Sequence, residues 1–165
     1  MRRRILALAL LLALAGTADA APAAPGFRVK TLDGRRTIDS NELIGKKVVV
    51  LRFQASYCKA CAKEAAALNR VTERYRQRDV EIVCVHVQDT ATDVRKFARA
   101  HNLACPVALD PRLNLGNRFG FKGTPYTVVI DRKGEMVTRI SGEGAMRRLP
   151  PMLDRLLGQD ATSTR

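Results

Sequence analysis

Two cysteines separated by two residues are the part of this 165-residue sequence that most clearly predicts chemistry. Cys58 and Cys61 follow an apolar, β-branched run at residues 48–53, and helix-forming residues come directly after them. A helix beginning at Cys58 would put its thiol at a positive helix N-terminus, which favours the reactive thiolate. We therefore predict that Cys58 attacks a partner disulfide and that Cys61 resolves the mixed disulfide. A static structural disulfide is the less favoured interpretation, because the ring closes across only two residues.

The two remaining cysteines do not complete a metal site in the sequence. Cys84 and Cys105 stand alone, and neither has a histidine at zinc-finger spacing. Cys84 is expected to behave as a small hydrophobe within a strand, and a disulfide to Cys105 is the less favoured interpretation because disulfide geometry is strict. His86 is expected to be a satisfied strand histidine rather than a ligand.

The first 20 residues predict export. Three arginines at residues 2–4 precede eleven apolar residues at 5–15, and Ala18-Asp19-Ala20 offers a cleavage site that would leave Ala21 at the new N-terminus. An uncleaved membrane anchor is less favoured, because a helix needs about 20 apolar residues to span a bilayer. Export to an oxidising periplasm favours a redox pair over a zinc pair at the two cysteines.

The chain is strongly basic, with a formal net charge of +13 that falls to +11 when residues 1–20 are removed. Lysines and arginines are dispersed along the whole chain rather than clustered in one segment. Together with the predicted export, this dispersion favours a solvated basic surface over nucleic-acid binding.

Strand and helix patterns alternate through the middle of the chain. A linker is predicted at residues 21–26, one domain at 27–158 and a polar tail at 159–165. The order predicts an α/β fold: a central mixed, mainly parallel sheet with helices on both faces and an N-terminal β-hairpin. Strands are predicted at residues 27–32, 35–38, 48–53, 80–87, 106–109, 126–130 and 135–140, and helices at 39–43, 58–78, 92–102 (capped by Thr92-Asp93), 113–119 and 145–157.

Three motifs together resemble the thioredoxin superfamily, and within it the exported TlpA/ResA-like thiol-disulfide oxidoreductases. They are Cys58-Lys59-Ala60-Cys61 at a strand–helix junction, the acid Glu64, and the distant Gly123-Thr124-Pro125. The likeness extends over residues 26–157 and implies a thioredoxin-like fold. It also implies a cis peptide bond before Pro125, substrate contacts from Thr124 and Pro125, and a role for Glu64 in proton handling.

Three residues depart from the pattern of the resembling family. Tyr57 replaces the tryptophan usual before the first cysteine, where a substrate contact is expected, and Gln54 replaces another common tryptophan. Arg52 replaces the acid of thioredoxin, and a buried guanidinium requires a partner, for which Glu64 is the candidate. Such a pair would hold Glu64 ionised and weaken it as a proton acceptor.

The resemblance implies a dithiol reductant of exported proteins such as apocytochrome c. It implies protein thiols and disulfides as substrates, an electron donor at or in the inner membrane, a monomer, and no cofactor, metal or nucleic acid. A peroxiredoxin-like peroxidase is an alternative, although residues 53–58 lack the P-x-x-x-T-x-x-C pattern. A Sco-like copper metallochaperone, with His86 or His101 as a ligand, is a second alternative, but it would need one more residue between the cysteines.

Overall fold

The computed structural model describes residues 21–162; the predicted signal peptide and the last three residues of the predicted tail lie outside this part of the chain. This part of the chain contains seven strands and five helices. The strands are β1 Arg28–Lys30, β2 Thr37–Asp39, β3 Val48–Gln54, β4 Val80–Val87, β5 Val107–Asp110, β6 Tyr126–Ile130 and β7 Met136–Ser141. The helices are α1 Ser40–Leu43, α2 Lys59–Tyr75, α3 Ala91–Ala100, α4 Asn114–Arg118 and α5 Ala145–Thr162.

Five of the strands form one mixed sheet in the order β5-β4-β3-β6-β7. β3 and β4 are parallel, as are β4 and β5, whereas β6 is antiparallel to both β3 and β7. Every residue of the central strand β3 is buried. This explains its nearly continuous apolar sequence, because a central strand is covered on both faces. β1 and β2 form the predicted N-terminal hairpin.

Alternate residues of β3 point into two separate apolar cores. Leu51 and Phe53 pack with Phe27 and Ile38 of the hairpin region and with Phe119 after α4. On the other face, a second core combines residues of β3 and β4 with apolar residues of α2 and α5: Val48, Val50, Ile82, Leu68, Val71, Leu149 and Leu153. The two long helices therefore cover one face of the sheet. Within residues 21–162, no helix is both long and apolar enough to cross a membrane.

The segment predicted as a linker is hydrogen-bonded to the sheet. The Ala24 amide donates to the Gly134 carbonyl at 2.8 Å, and the Met136 amide donates to the Pro22 carbonyl at 2.8 Å. Residues 22–24 thus pair with residues 134–136, where β7, an edge strand of the sheet, begins. Edge strands have unpaired backbone groups, and this segment satisfies two of the groups at this edge.

Several helix ends differ from the prediction, and α2 ends at Tyr75, three residues before its predicted end. Thr90, not Thr92-Asp93, caps α3: its side chain accepts a hydrogen bond from the Asp93 amide at 3.1 Å. α5 continues to Thr162, although its end was predicted at residue 157 and a tail from 159. Gly158 does not stop the helix, since a single glycine costs only about 1 kcal/mol relative to alanine.

Cys84 and Cys105 are joined by a disulfide, which corrects the expectation that Cys84 is unpaired. β4 and β5 are neighbouring parallel strands, and Cys84 lies opposite Val107 in their register. Cys105 precedes Val107 by two residues, and the Cα atoms of the two cysteines are 6.0 Å apart. The pairing depends on this register, which the sequence pattern alone did not define.

Candidate active site

The two cysteines of the C-x-x-C motif lie where α2 begins, at the carboxyl end of β3. Cys58 is the N-cap residue of α2, and its sulfur accepts a hydrogen bond from the Cys61 amide at 3.1 Å. A disulfide joins the two residues, whose Cα atoms are 5.2 Å apart. Cys58 is 8% exposed and Cys61 only 1%. Of the two sulfurs, that of Cys58 is therefore the one that a partner protein reaches more readily.

Pro125 lies at the same end of the sheet as the cysteine pair. β6 is antiparallel to β3, with Tyr126 opposite Phe53, so that Pro125 adjoins the residues leading to Cys58. The peptide bond between Thr124 and Pro125 is cis. The Pro125 carbonyl accepts a hydrogen bond from the Gly142 amide at 2.8 Å, which links this segment to the loop after β7.

Arg52 is buried beneath the start of α2 and forms an ion pair with Glu64, the partner that the sequence suggested. Its Nη2 is 2.5 Å from Glu64 Oε2, and its Nη1 donates to Thr127 Oγ1 at 2.9 Å. The other carboxylate oxygen of Glu64 accepts a hydrogen bond from the Gly144 amide at 2.7 Å. Burial lowers the pKa of the Arg52 guanidinium, although the carboxylate of Glu64 opposes this shift. Both oxygens of Glu64 therefore accept hydrogen bonds.

Tyr57 is exposed beside the cysteines. It is 63% exposed, which is unusual for a large aromatic residue in this structure. Tyr57 borders a pocket of about 320 Å³ that is also lined by Lys96, Phe97 and His101 of the α3 region. The Phe97 and His101 rings contact each other with centroids 4.4 Å apart. An exposed aromatic residue beside a reactive sulfur offers a contact surface for a partner protein.

Sequence reasoning missed a buried polar cluster behind the cysteine turn. His86 is satisfied, as predicted, but its partners are Gln54 of the neighbouring strand and Asp89 of the following loop. Asp89 also accepts hydrogen bonds from Ser56, two residues before Cys58. The sequence signal for this cluster was one polar residue in each of two apolar strands, Gln54 and His86, at positions that pair. The position of Asp89 had none, because it lies in a loop without periodicity.

The chain matches the AhpC/TSA family model over residues 20–139. It is 31% identical to a thiol-disulfide oxidoreductase ResA of Bacillus cereus over 133 residues, which are 81% of this chain and 76% of that protein. ResA of Halalkalibacterium halodurans is 31% identical over 120 residues, covering 73% of this chain and 67% of that protein.

Solved structures of related proteins share the fold. A putative thiol:disulfide interchange protein DsbE from Chlorobium tepidum superposes with a TM-score of 0.74 at 25% identity, covering 84% of this chain and 98% of that chain. A putative thioredoxin from Neisseria meningitidis gives 0.73 at 26% identity, covering 84% and 91%.

The fold and the disulfide at the start of α2 define the class of thioredoxin-like thiol-disulfide oxidoreductases. The chain belongs to the AhpC/TSA family and, within it, is related to the ResA enzymes.

Proposed function

We propose that this chain is an exported, periplasmic reductase of protein disulfides, with Cys58 as its nucleophile. The observation that carries the proposal is the pairing of a more exposed Cys58, at the N-terminus of α2, with a nearly inaccessible Cys61. The positive end of a helix stabilises a thiolate, and the thiolate is the form that attacks a disulfide. The N-terminal sequence, with its basic, apolar and A-x-A segments, supports export.

The proposed reaction has two exchange steps. The Cys58 thiolate attacks one sulfur of the substrate disulfide, the substrate S–S bond breaks, and the other substrate sulfur leaves as a thiolate. The Cys61 thiol gives its proton to the first substrate thiolate. The Cys61 thiolate then attacks the Cys58 sulfur, the Cys58–Cys61 disulfide forms, the mixed disulfide breaks, and the second substrate sulfur leaves as a thiolate. Two electrons pass to the substrate, and an electron donor at or in the inner membrane returns them through its own dithiol.

Substrate contacts are assigned to Tyr57, Thr124 and Pro125. A partner chain that reaches Cys58 passes over the exposed ring of Tyr57 and the backbone beside the cis bond. A proline has no N–H, so Thr124 supplies the backbone groups for pairing with the partner chain at this point. The substrate we assign is an apocytochrome c with oxidised haem-site cysteines, which is what the resemblance of the sequence motifs to the TlpA/ResA-like enzymes implies.

Glu64 is assigned to proton handling at Cys61, which lies one helical turn before it on α2. Its ion pair with Arg52 limits this role, because a proton received by Glu64 would weaken the bond to a buried cation. We therefore assign Glu64 mainly an electrostatic effect on Cys61, with little net proton transfer.

Two parallel assays test the proposal. The protein is expected to reduce insulin disulfides with dithiothreitol as the donor, and to turn over hydrogen peroxide no faster than a Cys58→Ser variant. Cys61→Ser is expected to accumulate a mixed disulfide with an oxidised apocytochrome c, whereas Cys58→Ser accumulates none. Peroxide turnover without insulin reduction would overturn the proposal in favour of a peroxidase.

A further inference from the structure

Four polar side chains form a cluster behind the turn that carries Cys58, and the exchange reaction uses none of them. Three of these residues are buried: Gln54 is 1% exposed, His86 0% and Asp89 8%. The fourth, Ser56, is two residues before Cys58. Burying polar groups costs free energy unless each finds a hydrogen-bonding partner. The arrangement of these partners indicates what the cluster does.

The hydrogen bonds of His86 define the position of its proton. Gln54 Nε2 is 2.9 Å from His86 Nε2, and His86 Nδ1 is 2.9 Å from Asp89 Oδ2. An amide nitrogen only donates, so His86 Nε2 accepts, and the proton of the neutral ring lies on Nδ1 and points to Asp89. Burial lowers the pKa of His86, although Asp89 opposes this shift, and the net lowering agrees with a neutral ring.

Asp89 receives three hydrogen bonds. Its Oδ2 accepts from the Ser56 amide at 2.7 Å as well as from His86, and its Oδ1 accepts from the Ser56 hydroxyl at 2.6 Å. Three donors around one carboxyl group match an ionised carboxylate, which only accepts. Within residues 21–162, the ion-pairing partner of Asp89 is His86. A neutral His86 leaves the negative charge of Asp89 uncompensated.

This carboxylate is connected to Cys58 by a short, ordered turn. The Cys58 amide donates to the Ala55 carbonyl at 3.1 Å, closing the turn that contains Ser56. Cys58 and Ala55 pack in one apolar cluster with Phe97, whose ring lies 5.3 Å from that of His86 between centroids. In such a poorly hydrated environment, a nearby negative charge disfavours a second one.

We propose that Asp89, oriented by His86, is a positioning residue for Cys58: it holds the turn through Ser56, and its charge keeps the Cys58 thiol less acidic than the helix start alone would make it. The inference rests on the proposed function, in which Cys58 is the nucleophile. It also deepens that function. Stabilising the thiolate makes a dithiol couple more oxidising, so a charge that destabilises the thiolate makes the couple more reducing.

Other titratable groups near the turn are the same in the parent protein and in an Asp89 variant. Lys59 follows Cys58 on α2, and Asp93 and Lys96 lie on α3. His101, which follows α3, lines the same pocket as Ser56 and Tyr57. Arg52 of β3 and Glu64 of α2 form an ion pair.

The test is the pKa of Cys58 in the reduced protein, measured from the pH dependence of its alkylation by iodoacetamide and assigned by peptide mass spectrometry. Asp89→Asn removes the charge and keeps the size of the side chain. We expect the Cys58 pKa to fall by about 1 unit. At pH 9, the equilibrium constant for reduction of the Cys58–Cys61 disulfide then rises close to tenfold. This corresponds to a rise of about 30 mV in the reduction potential of the couple.

Two further variants separate charge from structure. Ser56→Ala removes one hydrogen bond but retains the carboxylate, so the Cys58 pKa is expected to stay close to the parent value. Asp93→Asn is the matched control, because it removes an exposed carboxylate of the same type that is screened by water. An unchanged Cys58 pKa in folded Asp89→Asn overturns the inference, and so does an equal fall in either of the other variants.

If Asp89→Asn does not fold, the unsubstituted protein still decides the question. The ¹³C signal of the Asp89 carboxyl group is expected to shift as Cys58 titrates in the reduced protein, and to lose that shift in Cys58→Ala. A signal without an inflection at the Cys58 pKa overturns the inference. None of these measurements needs a protein substrate, so failure to reduce insulin would count against the proposed function alone.

Discussion

Arg52 replaces the acid of thioredoxin with a buried cation below the cysteine pair. It is 1% exposed and is neutralised by Glu64, whose side chain is 15% exposed. Its Nε atom has no hydrogen-bond partner among the described residues. The pair as a whole adds no net charge beneath the active site. Its effect is to tie β3, the first turns of α2, Thr127 of β6 and the loop at Gly144 together.

Removing one charge of the Arg52–Glu64 pair is expected to lower the free energy of unfolding more than removing both charges. Arg52→Met leaves the Glu64 carboxylate unpaired, and we expect the free energy of unfolding to fall by about 3 kcal/mol. Arg52→Met/Glu64→Gln retains an acceptor for the Gly144 amide without a charge, and it should lose less than the single variant. Urea unfolding of both proteins measures the difference. A double variant less stable than Arg52→Met would contradict this account of the pair.

At the residue scale, the sequence predicted the reacting groups better than their surroundings. Cys58 and Cys61 were evident from their spacing, and Glu64 was named as the partner of Arg52 because a buried cation needs an anion. Asp89 was not anticipated. Its contact with Ser56 depends on how the loop after β4 meets the turn after β3, which no local pattern describes.

Among the secondary-structure elements, β4 and β5 are joined covalently as well as by hydrogen bonds. The Cys84–Cys105 disulfide connects β4 to a residue that lies two positions before the start of β5. The sequence separation of the two cysteines is 21. Between them the chain forms α3, which carries Phe97 and borders the pocket beside Tyr57. The cross-link therefore restrains the segment that forms one wall of the candidate active site.

Removing this cross-link is expected to lower the free energy of unfolding by about 3 kcal/mol, because the open chain gains conformational entropy. The variant is Cys84→Ala/Cys105→Ala with the Cys58–Cys61 disulfide intact, measured in guanidinium chloride. Cys84→Ala alone loses the same cross-link and should lose a similar amount. Insulin reduction should continue in both variants. A loss below about 1 kcal/mol would show that the disulfide restrains the unfolded chain less than loop-closure entropy requires.

Element types were predictable here because hydrophobic periodicity is strong in this chain. β4 and β6 occupy the residues predicted for them, and α2 begins next to Cys58. Exact helix ends were less predictable. Thr90 and Thr92 are both acceptable caps by residue type, and only the backbone at Thr90, with φ −88° and ψ 154°, is in the extended conformation a cap needs.

At the scale of the whole molecule, the N-terminal segment pairs with part of each edge of the five-stranded sheet. Residues 22 and 24 pair with the chain around β7. At the opposite edge, the Leu32 amide donates to the Val107 carbonyl of β5 at 2.7 Å, and Thr31 forms a bridge with Ala108. The backbone groups paired in this way are not available to the strands of other molecules.

The pairing of residues 22–24 at the β7 edge should contribute measurably to the free energy of unfolding. Ala24→Pro removes the amide that donates to Gly134, and we expect a loss of about 1 kcal/mol together with faster hydrogen exchange at the neighbouring Met136 amide. Ala24→Ser retains the amide and serves as the matched control. Equal exchange at Met136 in the two variants would mean that the edge is protected by something other than this segment.

The covered edges also have a consequence for the order of folding. The segment that closes the sheet is synthesised first, but its partners around β5 and β7 belong to the later part of the described chain. Contacts between residues so distant in sequence form late, since the intervening chain has to be ordered first. Until β7 has formed, residues 22–24 have no partner at that edge of the sheet. A chain exported from its N-terminus would therefore complete its sheet only after β7 had been translocated.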